Sequence, residues 1–495
     1  MKSTKTKICF LLFSNMSKFL FFISLLFFSQ VNLAQEKPNV LFLVIDDLND
    51  WIDISKKFQG VKTPNLDKLA SKGTYFTKAY SQAPLCGPSR ACFLSGLSPA
   101  KTGVYLQIKD SDLKKYYDEQ FKVDFLPNYF SKQGYKTLGV GKIFHNGEGI
   151  NAFDEYGGKF EVYGPSPAKR INYDPAWFGQ KGTQTDWGAF PENDNQMPDF
   201  KSAAWAVNQL TKKHEKPFFM AVGFVRPHVP WHVPQKWFDA VKITDIKTPP
   251  YLQTDMEDIP EIGKSIAQVL EMPTTEWAIN KNNWKEMVQA YIACIAFVDA
   301  QVGKVIDALE NSAYHTNTYV VLFSDHGYHL GEKNRFAKHS LWERSAHVPL
   351  IITGPGLQKN KISNHQVGLI DLYPTLLDLC GLPVNKLNDG RTLSPILKGN
   401  VKNWNYPVYS FYGTDNVSIY KGKYHYIKYE DQTEEFYDLD KDPQEWTNMA
   451  GKLKGTALLN SFKAIAPLKT APYAPNSLMD GNTYFKSKKV TNNQE

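Results

Sequence analysis

Cysteine is scarce in this 495-residue chain, which has five. Cys9 lies in an N-terminal stretch that reads as a leader, leaving Cys86, Cys92, Cys294 and Cys380 for the mature protein. A secreted protein with so few is not built on disulfides and must be held by a core. Cys294 and Cys380 sit in apolar surroundings and read as core residues; the sequence leaves any pairing open. Beyond residue 34 there is also no long apolar run, which argues against stable membrane insertion. Charge of one sign is not in excess either. The formal net charge is +7, falling to +3 without the leader's four lysines, too little to argue for a nucleic-acid partner. There are no internal repeats.

What the chain does have begins with that leader. Lys2, Lys5, Lys7 and Lys18 precede or flank the apolar run Phe19–Phe28, no acid is present, and Asn32-Leu33-Ala34 follows. This is the pattern of a secretory signal peptide over 1–34, cut after Ala34, and it predicts a secreted or periplasmic protein. Cys9 is not at the cut, so a lipid anchor is a poor reading. The composition, 42% hydrophobic and 22% charged, is that of a globular protein. The length allows a large core and two domains, expected at 35–388 and 389–485, with 486–495 as a flexible tail.

Asn39-Val40-Leu41-Phe42-Leu43-Val44-Ile45 is unbroken apolar sequence, as in a strand buried on both faces. Further strands are expected at Thr137–Val140, Phe218–Val222, Tyr319–Ser324 and Pro349–Thr353. Helices are expected at Phe125–Gln133, Lys201–His214, Trp284–Leu309 and Asp371–Leu379. Another should open at Thr63-Pro64 and close at Gly73, and one more should run from just after Cys86 towards Gly96. Strands alternating with helices predict an α/β sandwich around a mostly parallel sheet, with ligands beyond the carboxyl ends of its strands. Residues 146–200 are rich in Gly, Pro and aromatics, including Phe153, Tyr156, Tyr163, Tyr173, Trp177, Phe178 and Trp187, and read as an insertion that shapes a substrate. The runs Val408–Tyr412, Tyr424–Tyr429 and Glu435–Leu439 predict a small C-terminal antiparallel sheet in an α+β subdomain.

Two polar pairs, holding three carboxylates and an imidazole, fall just past strand ends. Asp46-Asp47 follows the first strand, and Asp325-His326 follows Tyr319–Ser324. Adjacent carboxylates repel unless a cation lies between them. Oxygen-rich sites favour hard cations, but the imidazole is less typical of calcium, and ligand type alone leaves Mg²⁺, Mn²⁺ or Zn²⁺ open.

The stretch Cys86-Gly87-Pro88-Ser89-Arg90 resembles the signature of the type I sulfatases, in which this cysteine is oxidised to formylglycine (3-oxoalanine). Asp46-Asp47, Gly141-Lys142-Ile143-Phe144-His145, Arg226-Pro227-His228-Val229-Pro230, Asp325-His326-Gly327 and Ala337-Lys338 follow in that family's order. The likeness runs from about residue 38 to 445, ending in Phe436-Tyr437-Asp438-Leu439-Asp440-Lys441-Asp442-Pro443, and is greatest to the iduronate-2-sulfatase branch. His326 stands where many members carry Asn.

The resemblance implies an alkaline-phosphatase-like fold and a secreted sulfatase. Asp46, Asp47, Asp325, His326 and modified Cys86 would ligate one Ca²⁺. Arg90 and Lys142 would hold the formylglycine nucleophile, His145 would deprotonate its second hydroxyl, and His228 as an imidazolium would protonate the leaving oxygen. Lys338 would bind the sulfate, and His232 is a candidate substrate contact. A helix beginning at Pro88 would aim backbone N–H groups at the anion. The implied partners are a sulfated oligo- or polysaccharide, such as ulvan or a glycosaminoglycan bearing 2-O-sulfated uronic acid, and a formylglycine-generating or anaerobic sulfatase-maturating enzyme. The alternatives are a phosphoesterase or phosphonate hydrolase on the same fold, and an inactive carbohydrate-binding homologue.

Overall fold

A computed structural model describes residues 37–146, 151–160, 163–172, 174, 185–477, 482 and 484–486. The leader at 1–34, residues Tyr173, Trp177 and Phe178 of the insertion, and 487–495 of the tail lie outside the described residues. The sheet strands are β1 (Asn39–Ile45), β2 (Gly73–Tyr80), β3 (Lys136–Gly141), β4 (Glu155–Tyr156), β5 (Phe218–Phe224), β6 (Thr318–Ser324), β7 (His347–Thr353) and β8 (Lys361–Gly368). They lie in the order β8-β2-β7-β6-β1-β5-β3-β4. Every neighbouring pair is parallel except those of β7, which runs antiparallel to both β2 and β6.

The unbroken apolar sequence of β1 follows from its central place. Leu41, Leu43 and Ile45 join the core on one face with Met220, Val222 and the long helix Trp284–Glu310. Val40, Phe42 and Val44 join the other with Phe93, Phe219, Phe323 and Leu376. Since successive side chains of a strand point to opposite faces, a strand covered on both sides has no room for polar residues. Phe42 packs edge-on to Phe323 at 5.0 Å between ring centroids. Cys294 and Cys380 are core residues, and all four described cysteines are free.

The helix that opens at Pro64 ends at Ser71, and Gly73 begins β2, a strand not anticipated. A Cβ at Gly73 would come within 2.2 Å of the Ile352 carbonyl oxygen, so only glycine lets β2 lie this close to β7. The C-terminal sheet has four antiparallel strands, β9 (Val408–Phe411), β10 (Val417–Lys421), β11 (Tyr424–Lys428) and β12 (Glu434–Asp438). Its Ile419, Phe436 and Tyr437 share a core with Leu85, Tyr105 and Trp342 of the larger sheet's loops. The Trp342 indole N–H also donates to Glu435 Oε2 at 2.9 Å.

Candidate active site

Ile45 and Ser324 are register partners on parallel β1 and β6, so both strands end at the same level. The next residues therefore meet side by side. The Asp325 N–H donates to the Ile45 carbonyl at 3.1 Å, and the Asp47 N–H donates to Asp325 Oδ1 at 3.2 Å. Asp47 adopts the left-handed region at φ 62°, an uncommon conformation for a residue other than glycine. Tyr291 from the long helix donates to the Asp47 carbonyl at 2.7 Å.

The helix Cys86–Ser95 brings the third segment. Cys86 sits at its first position and Arg90 one turn on, so both side chains lie on one face. Arg90 is buried; its Nε donates to Asp325 Oδ2 at 2.9 Å, its Nη2 lies 3.3 Å from Asp46 Oδ1, and its Nη1 donates to the carbonyls of Lys142 and Ile143. Ser89 Oγ donates to the Asp325 carbonyl. The first-turn N–H groups expected to face an anion are engaged elsewhere. The Gly87 N–H donates to Gln107 Oε1 at 3.0 Å, the Ser89 N–H donates to the Leu85 carbonyl, and Pro88 has none.

Two lysines and two histidines complete the cluster. Lys142 donates to Asp46 Oδ2. Lys338 Nζ lies 2.5 Å from Asp47 Oδ1 and 3.1 Å from Cys86 Sγ. His326 Nε2 lies 3.2 Å from Cys86 Sγ and 3.3 Å from Asp47 Oδ1, while its Nδ1 is 2.9 Å from the Gly327 carbonyl. That carbonyl can only accept, which places a proton on Nδ1 and turns Nε2 inward to the thiol and Asp47. His228 is arranged the same way, with Nδ1 2.6 Å from the Val229 carbonyl and Nε2 4.0 Å from Asp47 Oδ2. Tyr163 of the insertion packs on the His228 ring at 5.3 Å.

These contacts split the carboxylates. Burial opposes ionisation of both neighbours, yet Lys142 and Arg90 hold Asp46 well below the usual carboxylate range, whereas burial wins at Asp47 and raises it. Burial, followed by Asp46, pushes the Cys86 thiol up to about 12. Burial and then Lys142 depress His145 to about 3, so its imidazole is neutral; its Nδ1 lies 2.7 Å from Asn146 Oδ1. His228 is likewise held neutral, by burial and then by Lys338 and Lys142.

A metal fits these residues. Asp46, Cys86, Asp325 and His326 offer ligand atoms within 4.8 Å of one another, and so do Asp46, Asp47, Cys86 and His228. Asp47 Oδ2 is buried without a hydrogen-bond partner, an acceptor left for a cation.

His232 lies apart from the cluster contacts. It is buried, with Nε2 3.1 Å from Asp186 Oδ2, and Asp186 also accepts from the N–H groups of Ile171, Asn172 and Trp187. Three supporting residues escaped the sequence reading. Arg226 ties the carbonyls of Tyr163, His228 and His232 together, Asp199 accepts from the N–H groups of Val225 and Arg226, and Lys159 donates to the carbonyls of His145 and Asn146 at 2.9 Å each. Arg226 opens one of the quoted motifs and was within reach; Asp199 and Lys159 act from other segments, with no local signal.

Residues 38–382 match the family model "Sulfatase", and residues 331–466 match "N-sulphoglucosamine sulphohydrolase, C-terminal". A sulfatase of Formosa agariphila is 44% identical over 471 residues, covering 94% of this chain and 93% of its own. The iduronate 2-sulfatase of Mus musculus is 30% identical, covering 72% of this chain and 71% of its own; it represents one of several sulfatase kinds among the relatives. A solved 2-O GAG sulfatase superposes with a TM-score of 0.65 at 27% identity, covering 87% of this chain and 91% of that one. A family model spanning most of the chain, and relatives matched over most of their own length, make this chain a member of the sulfatase family: a sulfuric ester hydrolase on an alkaline-phosphatase-like fold.

Proposed function

We propose that the chain is a secreted or periplasmic sulfatase that removes sulfate from a sulfated carbohydrate, with Cys86 oxidised to formylglycine and one Ca²⁺ in the acidic cluster. The observation that carries this reading is the meeting of Cys86, three carboxylates, His326 and Lys338 at the carboxyl ends of β1 and β6. The substrate is proposed to be a 2-O-sulfated uronic acid or related sugar of a polysaccharide such as ulvan or a glycosaminoglycan. Likeness to a 2-O GAG sulfatase and to an iduronate 2-sulfatase supports that class.

Asp46, Asp47, Asp325 and His326, with residue 86, would hold the ion, which supplies positive charge against the sulfate oxygens when bound. The formylglycine hydrate would supply two hydroxyls on one carbon, one to attack sulfur and one that, on losing its proton, would become the carbonyl again as the C–O bond to sulfate breaks; a serine lacks the second. Arg90 and Lys142 keep Asp46 ionised, and Arg90 also holds Asp325 in place beside residue 86. Lys338, already within hydrogen-bond reach of Cys86 Sγ, grips the sulfate. Each such fixed donor is worth about 10²–10³ in rate. With its Nδ1 proton committed to Asn146, His145 offers a free Nε2 lone pair as the base for the second hydroxyl. His228 is neutral in the free site, so its acid role requires the anionic substrate to raise its proton affinity.

The oxidation at Cys86 requires a formylglycine-generating or anaerobic sulfatase-maturating enzyme. Among the described residues no helix is long and apolar enough to cross a membrane. The test is sulfate release from a panel of defined sulfated oligosaccharides by protein co-expressed with a maturating enzyme. Release from a 2-O-sulfated uronate substrate is expected, and release from none of the panel contradicts the proposal.

A further inference from the structure

Three residues before Lys338 lies a cation that the chemistry above does not use. Arg335 is 7% exposed, its Nη2 donates to the carbonyls of Lys338 at 2.6 Å and His339 at 3.4 Å, and its Nε is buried with no hydrogen-bond partner. The buried cations around it each have an acid. Lys333 pairs with Asp255 at 2.6 Å, Lys338 with Asp47 at 2.5 Å, and Arg344 with Asp50 and Glu332. Among the described residues no carboxylate stands within ion-pair reach of Arg335. The Trp342 ring, 5.8 Å from its guanidinium carbon, and the phenols of Tyr412 and Tyr328 offset its burial in part, yet burial prevails and depresses the guanidinium group to about 10. A buried guanidinium without an anion is costly to keep.

Arg335 also lines a cavity of about 340 Å³, shared with Lys333, Ser265, Gln268, Thr274 and Ala337. That volume lies within the range of small-ligand pockets, about 300–1,000 Å³. Lys333 is spent on Asp255, and Lys264 at the rim pairs with Glu261 at 2.8 Å, so Arg335 is the cation left for an occupant. Ser265, Gln268 and Thr274 supply neutral groups suited to sugar hydroxyls. The link to the reacting centre runs through Lys338: its carbonyl accepts from the Arg335 guanidinium, and its Nζ reaches Cys86.

We propose that this cavity is a subsite for a second anionic group of the substrate, a uronate carboxylate or another sulfate, which pairs with Arg335 while the ester being cleaved lies at Cys86 and Lys338. The planar fork of arginine suits both anions, since each offers two coplanar oxygens. The inference rests on the sulfatase reading and adds to it a preference for doubly charged sugars.

The experiment compares the matured wild type, Arg335→Gln and Arg335→Lys on three disaccharides. One carries a 2-O-sulfated residue with its free carboxylate, the second is its carboxyl-reduced counterpart, and the third is carboxyl-reduced but carries a second sulfate. The wild type is expected to favour a doubly charged substrate over the singly charged one in kcat/KM by about tenfold or more. Which of the two it favours identifies the anion. Arg335→Gln should reduce that preference to within about threefold, through KM rather than kcat, and Arg335→Lys should retain part of it. Loss by the same factor on all three substrates would reduce Arg335 to a support for the Lys338 carbonyl. Absence of any preference in the wild type would also overturn the subsite. If the matured wild type releases sulfate from none of the three or from 4-methylumbelliferyl sulfate, the sulfatase reading itself has failed. Thermal melting of both variants separates misfolding from lost recognition.

Discussion

Asp46 and Arg90 meet in a fully buried ion pair, Oδ1 to Nη2 at 3.3 Å, and Lys142 takes the other carboxylate oxygen. One aspartate thus contacts two buried cations, of which Arg90 pairs also with Asp325 at 2.8 Å, while standing in the proposed metal cluster. Asp46→Asn is expected to cost stability as well as activity. Removing one member of a buried ion pair leaves the other uncompensated, at about 3–5 kcal/mol. Denaturant unfolding should show a lower midpoint for Asp46→Asn, and a midpoint equal to wild type would mean that the network is not held in this form.

Metal removal has its own signature. A cation bound to the folded protein alone stabilises it by about 2.7 kcal/mol when free metal is one hundred times Kd. Dialysis against EGTA should lower both sulfate release and Tm, and Ca²⁺ should restore both. Full activity after exhaustive chelation would exclude the ion from the reaction.

A separate pair sets a pH dependence of stability. His347 Nδ1 lies 2.7 Å from Glu343 Oε1 and 3.4 Å from Asp50 Oδ2, at the start of β7. Burial works against the charged imidazole, but Glu343 and Asp50 outweigh it and raise His347 above 6.5. Burial also works against the Glu343 carboxylate, but His347 outweighs it and depresses Glu343 below 4.5. The histidine's contribution is complete below 6.5 and disappears as pH rises through its folded value. The glutamate's is complete above 4.5 and disappears as pH falls through its own folded value. The pair therefore stabilises most between pH 4.5 and 6.5. The Tm difference between wild type and His347→Gln should be largest in that window and shrink on the alkaline side; a difference independent of pH would contradict the pairing.

At Gly73 the close approach of β2 and β7 makes a steric prediction. Gly73→Ala places a methyl 2.2 Å from the Ile352 oxygen, and backbone cannot yield as a flexible side chain can. Overpacking of this kind costs about 1–3 kcal/mol, measurable by urea unfolding. An unchanged midpoint would show that β2 can draw away freely.

β1 was legible because it is covered on both faces, and Phe218–Phe224 and Thr318–Ser324 for the same reason. Lys361–Gly368 was not, because it is an edge strand with several exposed residues at its start, so its sequence is mixed. Gly73–Tyr80 was hidden by a glycine that reads as a helix stop but marks a close strand contact. Pro349–Thr353 was recognised as a strand, yet nothing local reveals that it runs antiparallel. At the site, the acids and Cys86 stood out because they form short motifs. Arg226 was visible, but its role in tying its own segment, at His228 and His232, to the insertion depends on the distant carbonyl of Tyr163. Asp186, which engages His232, and Arg335, which lacks an acid, become meaningful only through partners far along the chain.

The most direct test joins two readings on one preparation. Protein co-expressed with a maturating enzyme is assayed for sulfate release, and the peptide containing residue 86 is weighed by mass spectrometry, with Cys86→Ala as the control. The active preparation should carry the aldehyde mass at residue 86, and Cys86→Ala should fold with a melting point near wild type yet release no sulfate above background. Full activity from protein whose Cys86 is an unmodified thiol, or from Cys86→Ala, would contradict the formylglycine chemistry at its root.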